Sequence, residues 1–207
     1  MQFDPSKFFV GALEFFGALL PGAIILYVGR FVAISAGMIE NGTWPNKTID
    51  WVLFVVGSLV LGYLAQPPAH VLNKLYDRTY RARKRWQGDP LLAYARQEAE
   101  SHVGPEDSVY VWAKSEVGYA SAQQLARIDR IEGISKMFRT LAFLAIIGAA
   151  LSLVVGEWLW ASILCGVSVL SFFVFAERRF ASAKEVYQSL RRIREQAGDG
   201  VRIVKPS

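Results

Sequence analysis

Long apolar stretches constrain the fold of this chain more than any other feature of its sequence. Four of them occur, at residues 8–27, 51–65, 137–155 and 158–176. The hydrocarbon core of a bilayer is about 30 Å thick, and roughly 20 helical residues cross it. The second stretch is short, so we expect it to include residues 48–50 and Gln66, or to lie in a locally thinner membrane. The sequence therefore predicts an all-α polytopic membrane protein with four transmembrane helices.

Composition supports this prediction because apolar and charged residues occupy different parts of the chain. The 207 residues are 53% hydrophobic and 20% charged, with 23 Lys and Arg against 18 Asp and Glu. So much apolar material excludes a disordered chain, and a single cysteine excludes a disulfide scaffold. Four buried helices of a soluble protein are the alternative, but the remaining polar residues would hardly cover them.

Positive charges are distributed unevenly around the apolar stretches. Twelve Lys and Arg lie in 67–139 and eight in 177–207, whereas Lys47 is the one cation between Arg30 and the second stretch. Positively charged segments stay on the cytoplasmic side. We therefore expect a bacterial inner-membrane protein with both termini in the cytoplasm. The outer interface would then hold four tryptophans, which prefer that depth: Trp44, Trp51, Trp158 and Trp160.

Helix-breaking Gly and Pro residues divide the polar segments into separate predicted helices. The apolar spacing predicts a basic amphipathic helix over 70–86, a short helix from Pro90 and a third from Pro105. From Ser121 the helical pattern continues into the third span, and the fourth span continues as a stalk towards Gly198. The predicted organisation is a first transmembrane pair, a cytoplasmic helical module, a second transmembrane hairpin and a C-terminal helix with a tail, over 1–66, 67–136, 137–176 and 177–207.

The first basic helix carries a cationic face beside the membrane. Its Lys and Arg are interleaved with aromatic residues, and they are Lys74, Arg78, Arg81, Arg83, Lys84 and Arg85. Anionic lipid headgroups are the first partner expected of such a face. An acidic surface of a soluble cytoplasmic protein is the second. Nucleic acid or a nucleotide ligand is the third, because basic and aromatic residues together suit phosphates and bases.

Glu14 is the most informative residue of the first span, because it lies about 10 Å inside the apolar stretch. A carboxylate that faces lipid is unfavourable. We therefore expect Glu14 to line a pore, a proton path or a subunit seam, or to reach the cytoplasmic interface near Lys7. Small residues and a proline lie on the same face of the first span as Glu14, and two small residues form a similar face on the second span. Another helix can approach such faces closely. These residues are Gly11, Ala18, Pro21 and Gly22, with Ser58 and Gly62.

Catalytic and metal-binding patterns are missing from the sequence. The two histidines, His70 and His102, and the one cysteine, Cys165, have no metal-ligand spacing, and no phosphate-binding loop or nucleophile motif occurs. We therefore expect no catalytic residue, no metal and no cofactor, and a protein that is not an enzyme.

One short run resembles a known sequence. Residues 130–139, Arg-Ile-Glu-Gly-Ile-Ser-Lys-Met-Phe-Arg, resemble a run in a family of uncharacterised bacterial four-span membrane proteins, which implies the membrane fold and no activity. In layout, the chain is similar to small multi-span effectors of antiphage defence. The leading hypothesis is an oligomeric, channel-like or permeability-altering effector controlled through its cytoplasmic module. The alternative is a membrane scaffold that recruits a soluble partner through its basic helices.

Overall fold

The computed structural model describes residues 5–37, 48–81, 89–100 and 106–196, except for the side chains of 5–14, 100 and 106–108. Every regular element in this part of the chain is helical. Four helices are long and apolar enough to cross a membrane, and no more than 44% of any of their apolar windows is buried. The described part of the chain is therefore all-helical, with four candidate membrane helices.

The first two candidate membrane helices form a closely packed pair. Helix α1 spans Pro5–Ser35 and α2 spans Thr48–Ala65. Helix α1 extends past the predicted end at Tyr27 and continues through Pro21. Helix α2 begins at Thr48, as predicted from the shortness of its apolar stretch. Helix α2 therefore has 18 residues and approaches the length that a bilayer requires.

Helices α6 (Ala122–Val154) and α7 (Trp158–Gln196) form a long antiparallel hairpin. The Ser168 hydroxyl donates to the carbonyl of Ala142 over 3.1 Å, and the Ser135 hydroxyl donates to the carbonyl of Phe175 over 3.4 Å. The turn between the helices contains Gly156 at φ +84°. Because this left-handed conformation strains other residues, glycine is what permits so short a connection.

Helix α1 also packs along α6, and the two run parallel. A Cβ atom at Gly17 would lie 3.6 Å from Met137, and one at Gly148 would lie 3.3 Å from a methyl group of Val28. Residue numbers therefore rise together along both helices. The sides of α2 and α7 that face away from the other helices carry apolar side chains such as Leu53, Leu64 and Leu170, each more than 60% exposed. An apolar surface this large is typical of lipid-facing helices.

A short irregular connection follows α2. A 3-10 turn (Pro68–His70) leads into α3 (Val71–Tyr76), which ends in a π-helical turn (Asp77–Arg81). The sequence predicted one helix over 70–86. The helical run observed within it changes character at Asp77, where the Thr79 hydroxyl donates to the carbonyl of Leu75 over 2.6 Å. Residues 82–88 lie outside the described part of the chain.

Helices α4 (Pro90–Glu100) and α5 (Glu106–Ala120) pack against the polar halves of α6 and α7. Asp89 caps α4 by accepting from the amide of Leu91, and Ser121 caps α6 by accepting from the amide of Gln124. The polar halves of α6 and α7, which we call the stalks, are therefore covered by α4 and α5 as well as by each other. Buried residues from all four helices form this core: Leu92, Ala95, Ala99, Val109, Ala113, Val117, Ile128, Val186, Tyr187 and Leu190.

Candidate functional site

A cavity of about 450 Å³ lies where the apolar helices meet the helical module. Helices α3 to α7 and both turns beside α3 contribute to its wall, and we call it the junction cavity. Its volume falls in the range of small-molecule sites, about 300–1,000 Å³. Its polar lining is mainly cationic and includes His70, Asn73, Asp77, Arg81, Arg96, Glu132, Lys136, Arg139 and Arg179.

Arg139 is the most unusual residue of this lining. It lies on α6 at the apolar end of the cavity, and it is only 5% exposed. No carboxylate within the described ranges forms a salt bridge with it, and its Nε has no hydrogen-bond partner there. Nη1 donates to Nδ1 of His70 over a long 3.5 Å. A buried cation without an anion costs on the order of several kcal/mol, so this arrangement requires a reason.

Two exposed cations stand beside Arg139. Lys136 lies on the same helix and Arg179 on α7, and neither forms a salt bridge with a described carboxylate. The two acidic residues of the lining are already paired. Asp77 lies 3.5 Å from Arg81, and Glu132 lies 2.8 Å from Lys114. The cavity therefore retains an excess of positive charge.

The positive charge of the cavity lowers the pKa of His70. The charge of Arg139, then burial, then the charges of Arg179 and Lys136 lower the pKa of His70 below 6.5. The imidazole is therefore neutral at pH 7. The amide Nδ2 of Asn73 also donates to Nδ1 of His70, over 3.1 Å, so the ring proton belongs on Nε2.

Aromatic rings form one wall of the cavity. The guanidinium carbon of Arg179 lies 5.5 Å from the centre of the Tyr76 ring, a cation–π arrangement. Tyr76 also stacks on Tyr80 and packs edge-on against Phe175. Burial raises the pKa of Tyr76 to about 12, against the opposing charges of Arg179 and Arg81. Tyr76 therefore stays neutral and acts as an apolar surface with a hydroxyl group.

A polar network holds the opposite wall in place. The Tyr110 hydroxyl donates to Glu132 and lies 3.0 Å from the Ser182 hydroxyl, so it links α5, α6 and α7. Burial, and then the charge of Glu132 and the hydrogen bond to it, raise the pKa of Tyr110. Lys114 lies 2.8 Å from both Asp129 and Glu132. The α5 side of the cavity is therefore fixed to the stalks.

The small residues predicted in the first two spans lie at the contact between α1 and α2. A Cβ atom at Gly22 would lie 1.7 Å from the carbonyl oxygen of Ser58, and one at Gly62 would lie 1.9 Å from that of Ala18. Pro21 is also fully buried. The partner of this face is a helix of the same chain, so it is not free to form a subunit seam. Gly11 and Glu14 lie in the part of α1 whose side chains are not described.

The predicted basic face is divided in the structure. Lys74 and Arg78 are exposed, whereas Arg81 is half-buried, lines the junction cavity and pairs with Asp77. Arg83, Lys84 and Arg85 lie outside the described residues. Arg81 is therefore the one member of this face that the described chain connects with the cavity.

Sequence reasoning did not identify the centre of the cavity. Arg139 lies within the predicted third span, between Ser135 and Ala142. These two residues contact Phe175 and Ser168, which both belong to the predicted fourth span. An ionisable residue inside a predicted span is the signal that could have found it, because such residues are costly and face the protein interior.

Comparison of the chain with protein-family models, with curated proteins and with solved structures finds no match. The described residues contain no cluster of three or more His, Cys, Asp or Glu side chains that could hold a metal ion. The single cysteine, Cys165, is a free thiol on the exposed side of α7. The geometry of the junction cavity is therefore the main guide to function.

Proposed function

We propose that this chain is a non-enzymatic protein of a bacterial inner membrane whose helical module controls the permeability of its apolar helices. One observation carries the proposal: α6 and α7 run unbroken from the core of the module into the apolar half, and the junction cavity lies between those two parts. An occupant of the cavity would contact the module and the membrane helices at once. An effector of this kind would suit antiphage defence.

The charge distribution supports a cytoplasmic position for the module. The cations of the cavity and the exposed Lys74 and Arg78 all lie at one end of the apolar helices. Trp51, Trp158 and Trp160 lie at the other end, where Trp160 contacts Phe31 near the end of α1. Because cytoplasmic segments are positively charged and tryptophans prefer interfaces, both termini would face the cytoplasm.

The continuous helices provide the mechanical link. Helix α6 rises about 1.5 Å per residue, so its outer end lies roughly 20 Å beyond Arg139. A small tilt of α6 at the cavity would therefore become a larger displacement at Val154. The cavity is lined from α4 and α5 by Arg96 and Tyr110, so an occupant that draws these helices inwards would change the packing of the stalks.

A conducting path would lie between copies of the chain. Small side chains of α6 pack tightly within the chain, since Ala142, Ala145 and Ala149 are almost completely buried. A cavity of about 20 Å³ beside Ser152 has room for roughly one water molecule. The α1–α2 contact is also closed, so a homo-oligomer would have to use the exposed apolar faces.

Dye release from proteoliposomes tests the proposal. Purified protein in vesicles loaded with a fluorescent dye should release it when a cavity ligand or partner is added, and Glu14→Gln should change the rate. Glu157→Gln, at the turn between α6 and α7, is the matched control and should leave the rate unchanged. Vesicles that stay tight with every added ligand or partner would contradict permeability control. Capture of an acidic soluble protein through Lys74 and Arg78 by such tight vesicles would favour the alternative, a membrane scaffold.

A further inference from the structure

We propose that the junction cavity binds a phosphate-bearing anion, held by the buried guanidinium of Arg139 and by Lys136 and Arg179 beside it. The consequence of binding for permeability rests on the proposed function, but binding itself does not. The two are therefore measured in separate experiments.

The first argument is the state of Arg139. Its side chain is 95% buried and lines the cavity, yet no described carboxylate neutralises it and its Nε has no hydrogen-bond partner in the described chain. Buried charges in proteins are normally paired, and buried polar atoms are normally hydrogen-bonded. The Nε of Arg139 is thus a buried donor that lacks an acceptor, and the only hydrogen bond that the described chain gives this guanidinium is the long one to neutral His70. An anion in the cavity would supply the charge and the acceptor together.

The second argument is the number of charges. Five Lys and Arg and two acidic residues line the described cavity, and both acids already pair with Arg81 or with Lys114. Lys136, Arg139 and Arg179 remain without a carboxylate within the described ranges. One carboxylate group would neutralise a third of that charge. A phosphate monoester carries about −1.5 to −2 at pH 7 and offers several acceptor oxygens, so it fits better.

The third argument is the size and the aromatic character of the site. A cavity of about 450 Å³ is much larger than a bare inorganic ion requires. Tyr76 and Phe175 line the cavity together with Leu92 and Val109, so an organic group beside the phosphate would meet apolar and aromatic side chains. Because the cavity lies at the end of the apolar helices, that group has two sources: the headgroup of a phospholipid or a soluble phosphate compound.

Asn73 does not oppose an anion in the cavity. Its Oδ1 is buried without a partner, and an acceptor atom facing a phosphate would be unfavourable. The amide can rotate by half a turn and present its NH₂ group instead. His70 would then accept from Arg139 alone or become protonated beside the anion.

Binding is measured on the full-length protein in nanodiscs, with two probes. Inorganic pyrophosphate is titrated into nanodiscs of phosphatidylcholine at constant ionic strength, without divalent cations, and succinate serves as the carboxylate comparison. In the lipid arm, phosphatidic acid is mixed with phosphatidylcholine and the bound lipid is counted by native mass spectrometry. Arg139→Gln should weaken binding about tenfold or more, because charge-assisted hydrogen bonds are lost.

A second variant keeps the test valid if Arg139→Gln does not fold. Lys136→Gln combined with Arg179→Gln removes two exposed charges of the cavity and should weaken binding severalfold. The matched control removes Arg178 and Lys184, which are exposed on α7 and do not line the cavity, and it should bind as the wild type does.

Each outcome decides a question. Pyrophosphate binding that depends on Arg139, or on Lys136 and Arg179, identifies the natural occupant as a soluble phosphate compound. Selective retention of phosphatidic acid identifies it as a lipid headgroup. Absence of binding in both arms, or equal losses in the control variant, would overturn the inference. Binding without any change of dye release would instead refute permeability control and leave the phosphate site intact.

Discussion

The contact between α1 and α2 yields a sharp prediction, because two glycines there face backbone atoms. A Cβ at Gly22 would lie 1.7 Å from the Ser58 oxygen, and one at Gly62 would lie 1.9 Å from the Ala18 oxygen. Real Cβ atoms essentially never approach closer than 3.0 Å. Gly22→Ala would therefore force the helices apart by about 1.3 Å at that point.

The size of the effect follows from two opposing contributions. Overpacking of a close contact costs about 1–3 kcal/mol, and this contact is with backbone, which cannot rotate away. Replacing a helical glycine by alanine stabilises the helix by about 0.5–1 kcal/mol. We therefore expect Gly22→Ala and Gly62→Ala each to lower the free energy of unfolding, with a lower thermal midpoint in detergent micelles.

Gly29→Ala is the matched control on the same helix. No atom lies within 4 Å of a Cβ at Gly29, so only the gain in helix propensity remains and the midpoint should stay or rise. Equal midpoints for the Gly22 and Gly29 variants would refute the close packing of α1 against α2.

Two further predictions concern the polar half. The pKa of His70 is lowered, so the unfolded chain binds more protons below pH 6.5 and the free protein loses stability as pH falls through that range. An anion bound beside His70 should raise this pKa, so the pyrophosphate affinity of the wild type, divided by that of His70→Asn, should increase severalfold from about pH 7.5 to about pH 5.5. A ratio of affinities that stays constant with pH in titration calorimetry would contradict the proposed site. Lys114→Met should lower stability by about 1–2 kcal/mol, because it leaves Asp129 and Glu132 without their cation. Thermal melting should show no such loss for exposed Lys184→Met, and equal losses would argue against the network.

Periodic features of the sequence predicted the helices well. The apolar stretches, the Pro90 and Ser121 boundaries and the continuation of the third and fourth spans into stalks all depend on local residue patterns, and the corresponding helices are present. Helix α1 continues to Ser35, beyond Tyr27, where the apolar stretch taken as the first span ends. Helix ends depend on tertiary contacts, such as that of Phe31 with Trp160, which local patterns do not contain.

The junction cavity could not be predicted in the same way. It forms because α4 and α5 cover the stalks, which brings Arg96 and Tyr110 towards Arg139 and Arg179 from distant parts of the chain. The cationic face was recognised from its spacing, but spacing alone does not separate Arg81, which lines the cavity, from the exposed residues of the same helix. Which charges lack a partner is a property of the assembled fold.

Cysteine labelling in membrane vesicles tests most directly whether lipid surrounds the apolar helices and leaves the module in the cytoplasm. Tyr119, 89% exposed at the end of α5, and Trp158, 71% exposed at the start of α7, are replaced singly by cysteine in a Cys165→Ser background. A membrane-impermeant maleimide should label the Tyr119 position only in inside-out vesicles and the Trp158 position only in right-side-out vesicles. Labelling of both positions from one side, or recovery of the protein in the soluble fraction, would contradict the account.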